Sequence, residues 1–339
     1  MSGTNKKEIT IAIPSYNRND ILKKNIRFLL PQLTSNHNLL IIDNCSDTPL
    51  SNDIKPILNE YPDLDYKIIR NNINIGGNAN ILRCFELCET EYLWVLGDDD
   101  IPNEDALKVI EKNIRKYPDV AFFNFSTDDF ERNKIVLTEG LDNFLNNGID
   151  YIGQIMFISS SIYSTKKLNP LITVASAWAT SCLPQFIVLI SYLQSVRNGL
   201  LLTSDEKIVK TDHQNTDPNL VYSPIYVAMY ISSLIHIPGL RFKQIKILRR
   251  HIINLINKWL TPRSIFLSLL IKSSESKLYK ESLFLYREIW KNLFYLKKSP
   301  FFHSQVLFFY TALRFPNTSR LIIEKIFNKN LFRSNSDRH

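Results

Sequence analysis

The chain has 339 residues, 45% of them hydrophobic and 22% charged, with a formal net charge of +8. This composition excludes a long disordered polymer and leaves room for one large α/β domain plus an appendage. Cys45, Cys84, Cys88 and Cys182 lack paired zinc spacing and the start MSGTNKKEIT lacks the apolar core of a secretory signal, so reduced thiols in the cytoplasm are expected.

Residues 8–16 are apolar and β-branched and predict a first strand, ended by Pro14-Ser15-Tyr16-Asn17-Arg18. Asn19 or Asp20 can cap a helix whose apolar positions Ile21, Leu22, Ile26, Leu29 and Leu30 fall at helical spacing, with Pro31 as its limit. Residues 38–42 predict a second strand ending at Asp43-Asn44, residues 52–60 a short helix and residues 66–70 a third strand. Residues 71–80 (NNINIGGNAN) are polar and lead into a helix through Ile81, Leu82, Phe85 and Leu87. Residues 92–96 predict a central strand, followed by Asp98, Asp99 and Asp100, a helix over 104–117 and a fifth strand over 120–125. Strands alternating with helices at this spacing predict an α/β fold, a mostly parallel sheet with helices on both faces, which binds ligands beyond the carboxyl ends of its strands. Ser15, Asp43, residues 74–78 and the three aspartates all fall at such ends.

Three consecutive carboxylates repel one another unless a cation sits among their oxygens. A hard divalent metal suits them and keeps positions free for a substrate phosphate. The plain alternative is an acidic loop before the next helix, where Asp is favoured.

Ile13-Pro14-Ser15-Tyr16-Asn17-Arg18, Ile42-Asp43-Asn44-Cys45-Ser46-Asp47, Asn74-Ile75-Gly76-Gly77-Asn78 and Leu96-Gly97-Asp98-Asp99-Asp100 resemble, in order, the motifs of glycosyltransferase family 2. The resemblance implies the GT-A fold, Rossmann-like, in residues 1–217, with a nucleotide-sugar half (1–130) and an acceptor half (131–217). It implies a nucleoside-diphosphate sugar donor, with Pro14, Ser15, Tyr16 and Arg18 against the nucleotide and Asp43 on the base. Asp98 and Asp100 match the outer positions of the family's Asp-x-Asp motif. With His213 they make up the implied set for Mn²⁺ or Mg²⁺, and Asp98 or Asp99 meets the ribose. Asn44 stands where the family often has a second Asp, and Gly97 where many relatives carry an acid, which leaves the ribose contact open by one residue. Asn78 is read either as a donor to the sugar or diphosphate, or as a helix cap.

Residues 157–164 (FISSSIYS) predict a strand whose hydroxyls can line an acceptor pocket. The family commonly follows such a strand with an acidic pair that deprotonates the acceptor hydroxyl. Residues 176–186 (SAWATSCLPQF) hold no acid, so Asp205 is the candidate base, with Glu206, Asp128 and Asp129 as alternatives. His213 follows a strand predicted over 207–210.

Charge is unevenly spread. Residues 1–130 hold 14 Lys and Arg against 20 Asp and Glu, residues 131–217 hold 7 against 8, and residues 218–339 hold 20 against 5. Residues 218–240 are uncharged but broken by Pro224, His236, Pro238 and Gly239, unlike a span of ~20 apolar residues. Helices are expected over 242–260, 264–272, 280–295 and 304–313. Their Lys and Arg interleave with Ile, Leu and aromatics, as in an interfacial membrane anchor. The plain alternative is a helical subdomain with solvated charges. No nucleic-acid motif accompanies the charge, so no such partner is expected.

The combined expectation is a metal-dependent, inverting glycosyltransferase of bacterial O-antigen or capsule assembly. It would act on a glycan acceptor linked to polyprenyl diphosphate, as a peripheral protein at the inner face of the cell membrane. Two rivals stand beside it: a catalytically inactive scaffold, and a metal-dependent nucleotidyltransferase, which would show a glycine- and lysine-rich phosphate loop where this chain has PSYNR.

Overall fold

Strand β1 (Ile9–Ser15) is apolar on both faces because it lies inside the sheet, flanked on both sides by parallel neighbours. The computed structural model describes residues 7–148, 155, 157–179, 183–210 and 231–258, with shorter pieces at 261–263, 265–267, 286–287, 289–290, 300–315 and 318–319. The chain divides into two units, Met1–Pro218 and Asn219–His339.

In the first unit β1 is followed by α1 (Asn19–Leu29), β2 (His37–Asp43), α2 (Leu50–Leu58), β3 (Tyr66–Arg70), α3 (Gly77–Glu86), β4 (Tyr92–Val95), the short β5 (Ile101–Pro102) and α4 (Ala106–Lys116). Then come β6 (Val120–Ser126), β7 (Val136–Glu139), β8 (Ser161–Ser164), α5 (Pro184–Ser195), β9 (Leu200–Lys207) and β10 (Val209–Lys210). Eight strands form one sheet in the order β3-β2-β1-β4-β8-β6-β9-β7, while β5 and β10 pair separately. The sheet is parallel except at β8, inserted antiparallel between β4 and β6, and at the edge strand β7.

Alternation along the strands divides the core. Ile9, Ile11 and Ile13 join Tyr92, Trp94 and Phe123 in one cluster with Leu22, Ile26 and Leu29 of α1, Ile54 and Leu58 of α2, and Ile110 and Ile114 of α4. The intervening positions carry Tyr163 of β8, which packs on Phe85 of α3 (4.9 Å between ring centroids) and Phe122 of β6 (5.3 Å). Both layers of helices have the apolar stripe that a buried sheet face requires.

Two local expectations are corrected. Arg18, not Asn19 or Asp20, is the residue before the first turn of α1. Residues 158–160 form a 3₁₀ turn, so the strand expected over 157–164 is only Ser161–Ser164. The turn lets the Ser159 and Ser160 side chains point into the domain, which continuous pleating would forbid for neighbours.

In the second unit α6 (Phe242–Lys258) and α7 (Pro300–Leu313) are the long described helices. The helices expected over 264–272 and 280–295 lie largely outside the described residues. Trp290, Tyr286 and Phe302 form a buried aromatic centre, with Trp290 edge-on to Phe302 at 5.2 Å.

Candidate active site

The carboxyl ends of β1, β2 and β4 lie side by side, as the pairing of Ser15 with Asp43 and Ala12 with Val95 requires. Beyond β1 the chain turns at Asn17, held at φ +53°, a left-handed conformation that Asn tolerates better than most residues. Its side chain exchanges hydrogen bonds with Asp47: Nδ2 donates to the carboxylate at 3.1 Å and Oδ1 accepts from the Asp47 N–H at 2.8 Å. Pro14 is half-buried, and Tyr16 presents its ring outward, 41% exposed.

Asp43 is 1% exposed. Its Oδ1 accepts from the Ser46 N–H (2.8 Å), and its Oδ2 accepts from the Leu50 N–H (3.2 Å) and Arg70 Nη1 (2.5 Å). Arg70 Nη2 donates to the Ser46 carbonyl at 2.7 Å. Burial alone would raise the Asp43 pKa, but the Ser46, Arg70 and Leu50 donors outweigh it and hold the carboxyl below its ordinary value. The carboxylate closes the loop from within, and three of its roughly four acceptor sites are taken by these donors.

Asn44, 2% exposed, explains its own departure from the family pattern. Its Nδ2 donates to Asn74 Oδ1 (2.8 Å), while its Oδ1 accepts from Asn71 Nδ2 (2.9 Å) and the Ile75 N–H (3.1 Å). Asn74 Oδ1 also accepts from the Gly76 N–H, and Asn71 Nδ2 also donates to Asn80 Oδ1. A carboxylate cannot donate to Asn74 and would be a buried charge. Asn44→Asp is expected to cost about 1–3 kcal/mol, read as a lower denaturation midpoint at unchanged slope; an unchanged midpoint would refute the network's role.

The acidic cluster is internally paired on one side only. Asp98, 5% exposed, accepts from Ser15 Oγ (2.5 Å) and Arg18 Nη1 (2.8 Å), and the same Arg18 nitrogen reaches Asp99 at 3.0 Å. Arg18 is thus a cation among the carboxylates that motif reading alone assigned only to the nucleotide. Asp98, expected on a metal, has both oxygens engaged. Asp100 is not among the ion-pair partners of Arg18 in the described residues and accepts from Ser159 Oγ at 2.5 Å. Ser159 Oγ accepts from the Gly97 N–H (2.8 Å), and the Ser159 carbonyl accepts from Trp94 Nε1 (2.8 Å). A Cβ on Gly97 would lie 2.5 Å from Asp100 Oδ2, so the glycine makes room for the aspartate. Burial, reinforced by the Asp99 charge, pushes Asp100 up to about 7, and burial pushes Asp98 up to about 6 despite Arg18.

Among the described residues no group of three or more His, Cys, Asp or Glu side chains is placed to hold a metal. The donors that fit one are Asp99 and Asp100, hard oxygens with Asp100 short of a cationic partner among the ion pairs of the described residues. Two carboxylates completed by substrate phosphates and water suit Mg²⁺ or Mn²⁺. His213 lies outside the described residues; Lys210, the last described before it, pairs with Ile101, the neighbour of Asp100.

The acceptor half departs further from expectation. Ser159, Ser160 and Ser161 are all 0% exposed and line no open pocket; Asn124 Nδ2 donates to Ser160 and Ser161, and Arg132 donates to the Asn124 side chain. Asn78 neither caps α3 nor stands free: its Nδ2 donates to the Ala179 carbonyl at 2.7 Å, tying α3 to the acceptor half. Among the base candidates, Glu206 is held by Lys112 (2.5 Å) and Asn113 (2.8 Å), and Asp128 by Lys207 (2.9 Å). Asp205 is exposed on β9, three strands from β4, about 14 Å at ordinary strand spacing. Ser159, Arg70 and the asparagine network were not singled out from sequence. Only the density of Asn over residues 71–80 hinted at the last.

Residues 10–173 match the family model described as Glycosyl transferase family 2. Abequosyltransferase RfbV of Salmonella typhimurium is 28% identical over 116 residues, 33% of this chain and 34% of that protein, so the match spans about a third of the relative's length. Among solved structures, S. aureus TarS 1–349 in complex with UDP-GlcNAc is similar with a TM-score of 0.55 at 15% identity, over 84% of this chain and 88% of that one. TarS 1–349 without that complex gives 0.53 at 14% over the same shares. At such identities the structural likeness is one of fold. The sheet order, the strand-end loops and the family match together place residues 10–173 in glycosyl transferase family 2, on a GT-A fold.

Proposed function

We propose that this protein transfers a sugar from a nucleoside-diphosphate donor to a hydroxyl of a glycan acceptor in the assembly of a bacterial surface polysaccharide. The observation that carries the reading is Asp100, half-buried in the loop after β4 without a cationic partner among the ion pairs of the described residues, beside an Arg18 that already serves Asp98 and Asp99. Family membership gives the reaction class. The similarity to an abequosyltransferase supports a sugar transfer in the polysaccharide setting, and the basic second unit supports an acceptor linked to polyprenyl diphosphate at the inner membrane face.

In this proposal Asp99 and Asp100 hold Mg²⁺ or Mn²⁺. The metal supplies Lewis-acid stabilisation of the departing diphosphate. Arg18 fixes the Asp98 and Asp99 carboxylates, Ser159 fixes Asp100, and Ser15 through Arg18 form the wall against which the nucleotide lies. Inverting transfer is a single displacement: the acceptor oxygen bonds to the anomeric carbon, the sugar–phosphate bond breaks, and a base takes the hydroxyl proton.

The deciding experiment is thermal shift with Mn²⁺ or Mg²⁺ across UDP, GDP, CDP and dTDP. One diphosphate is expected to stabilise the protein only with metal, by about 2.7 kcal/mol at a hundredfold excess over its dissociation constant. No shift with any of them would overturn the donor site. The acid-free stretch 176–186 keeps the scaffold reading in view. Release of free nucleoside diphosphate from a donor sugar favours transfer; no release favours the scaffold.

A further inference from the structure

Helix α7 is a charge-free helix in the most basic part of the chain. Its fourteen residues, PFFHSQVLFFYTAL, carry no Asp, Glu, Lys or Arg, whereas residues 218–339 as a whole hold 20 Lys and Arg against 5 Asp and Glu. One face is packed: Phe302, Val306 and Leu313 are buried, and the Val306 carbonyl accepts from the Tyr286 hydroxyl at 3.3 Å. The other face is open and mainly aromatic and aliphatic, with the exposed Ser304 and Thr311 between its large side chains. Phe301 is 73% exposed, Leu307 65% and Phe308 67%, and Phe315, just past the helix end, 62%. Within the helix Phe301 and Phe308 are seven residues, two turns, apart and so fall on one line with a drift of only ~20°.

A water-facing helix does not ordinarily set large aromatics in line without a charge among them. At 14 residues α7 is about 21 Å long, too short for the ~30 Å hydrocarbon core, and no helix among the described residues is long and apolar enough to span a membrane. It can lie in an interface but not cross it. The same unit supplies the matching charge: on α6, Lys243, Lys246 and Arg250 are exposed beside Phe242, itself 71% exposed and capped by the Lys246 ammonium at 4.7 Å. Aromatics on a charge-free face together with exposed Lys and Arg, in a unit of net +15, are complementary to a surface that is apolar within and anionic at its rim. A second copy of this chain would bring another strongly positive unit to the same face, which repels.

We propose that the open face of α7, with Phe301, Leu307, Phe308 and Phe315 as the inserting side chains, is an interfacial anchor for an anionic phospholipid bilayer, held there by the Lys and Arg of the second unit. The inference rests on the membrane-face setting proposed above, but its test involves no sugar transfer, so its failure would leave the chemistry standing.

The test is co-sedimentation of the full chain with vesicles of phosphatidylethanolamine and phosphatidylglycerol, against vesicles of phosphatidylcholine alone. Binding to the anionic vesicles is expected, weakened by added salt. The double variant Phe301→Ser/Phe308→Ser is expected to lower partitioning by about 100-fold, roughly tenfold for each ring withdrawn from hydrocarbon. Both positions are exposed, so an unchanged melting temperature should show the variant folded. As a second readout, the indole introduced by Phe308→Trp should be quenched by lipids brominated on the acyl chain. No binding to anionic vesicles overturns the proposal. So does binding that survives the double variant with the indole unquenched, because charge alone would then hold the protein. A concentration-dependent dimer that the double variant abolishes, without vesicle binding, would assign the face to a second copy instead.

Discussion

Replacing Asp100 with Asn should lower metal-dependent transfer while raising the stability of the metal-free protein. The carboxylate is half-buried, sits beside Asp99 and, among the described residues, accepts a hydrogen bond from Ser159. Its pKa is pushed up to about 7 from an ordinary 3.8. A carboxyl raised in this way contributes stability that is fully present below its unfolded value and is lost as pH rises through the folded one. The native state therefore carries a penalty that grows from about pH 4 and is complete above pH 7, on the order of a few kcal/mol. Asn keeps an oxygen to accept from Ser159 and removes the charge. The melting temperature without metal should rise by several degrees at pH 8, and the gain should shrink as pH is lowered from 7 towards 4. Transfer should fall on the order of 10²–10³-fold, the loss typical of one group that stabilises developing charge. A variant that is inactive but no more stable than the parent at pH 8 would show that Asp100 is not a strained, cation-seeking carboxylate.

Asp43→Ala should destabilise the donor half strongly. It strips acceptors from the Ser46 and Leu50 N–H groups and leaves Arg70 without its partner. Removing one member of a buried pair costs about 3–5 kcal/mol; the low end is expected, because the Arg70 side chain is 38% exposed. The Asp43 carboxyl is held below its ordinary value, so its contribution is present above the unfolded value and lost as pH falls through the folded one. The stability gap between parent and variant should accordingly be full at pH 7 and narrow on acidification below about 4. A variant that loses nucleotide binding at full stability would assign to Asp43 the direct base contact first expected of it.

Much of the first unit was legible from local pattern. The strands over 9–15, 37–43, 66–70, 92–95 and 120–126 are short apolar runs, each ended by residues that cannot continue a buried strand, and physics of that kind acts within a few residues. The motif loops were legible for the same reason. What escaped was long-range. Ser159 and Asp100 are 59 residues apart, and nothing in FISSSIYS says that Ser159 and Ser160 both turn inward on a 3₁₀ step. The antiparallel β8 between β4 and β6 is a choice of sheet order, on which periodicity is silent. Arg18 was assigned outward to a ligand because sequence does not show which of two anionic partners, phosphate or carboxylate, lies nearer.

The pairing of β5 with β10 bears on what can be inherited or excised as a working piece. The family match ends at residue 173, yet Val209 and Lys210 hold Ile101 and Pro102, and the Asn103 N–H donates to the Ile208 carbonyl. β9, also beyond the match, lies between β6 and β7. A fragment cut at residue 173 would keep every recognisable motif and lose the brace on the loop that bears its carboxylates. The smallest piece that carries the site as it is built here runs through Lys210.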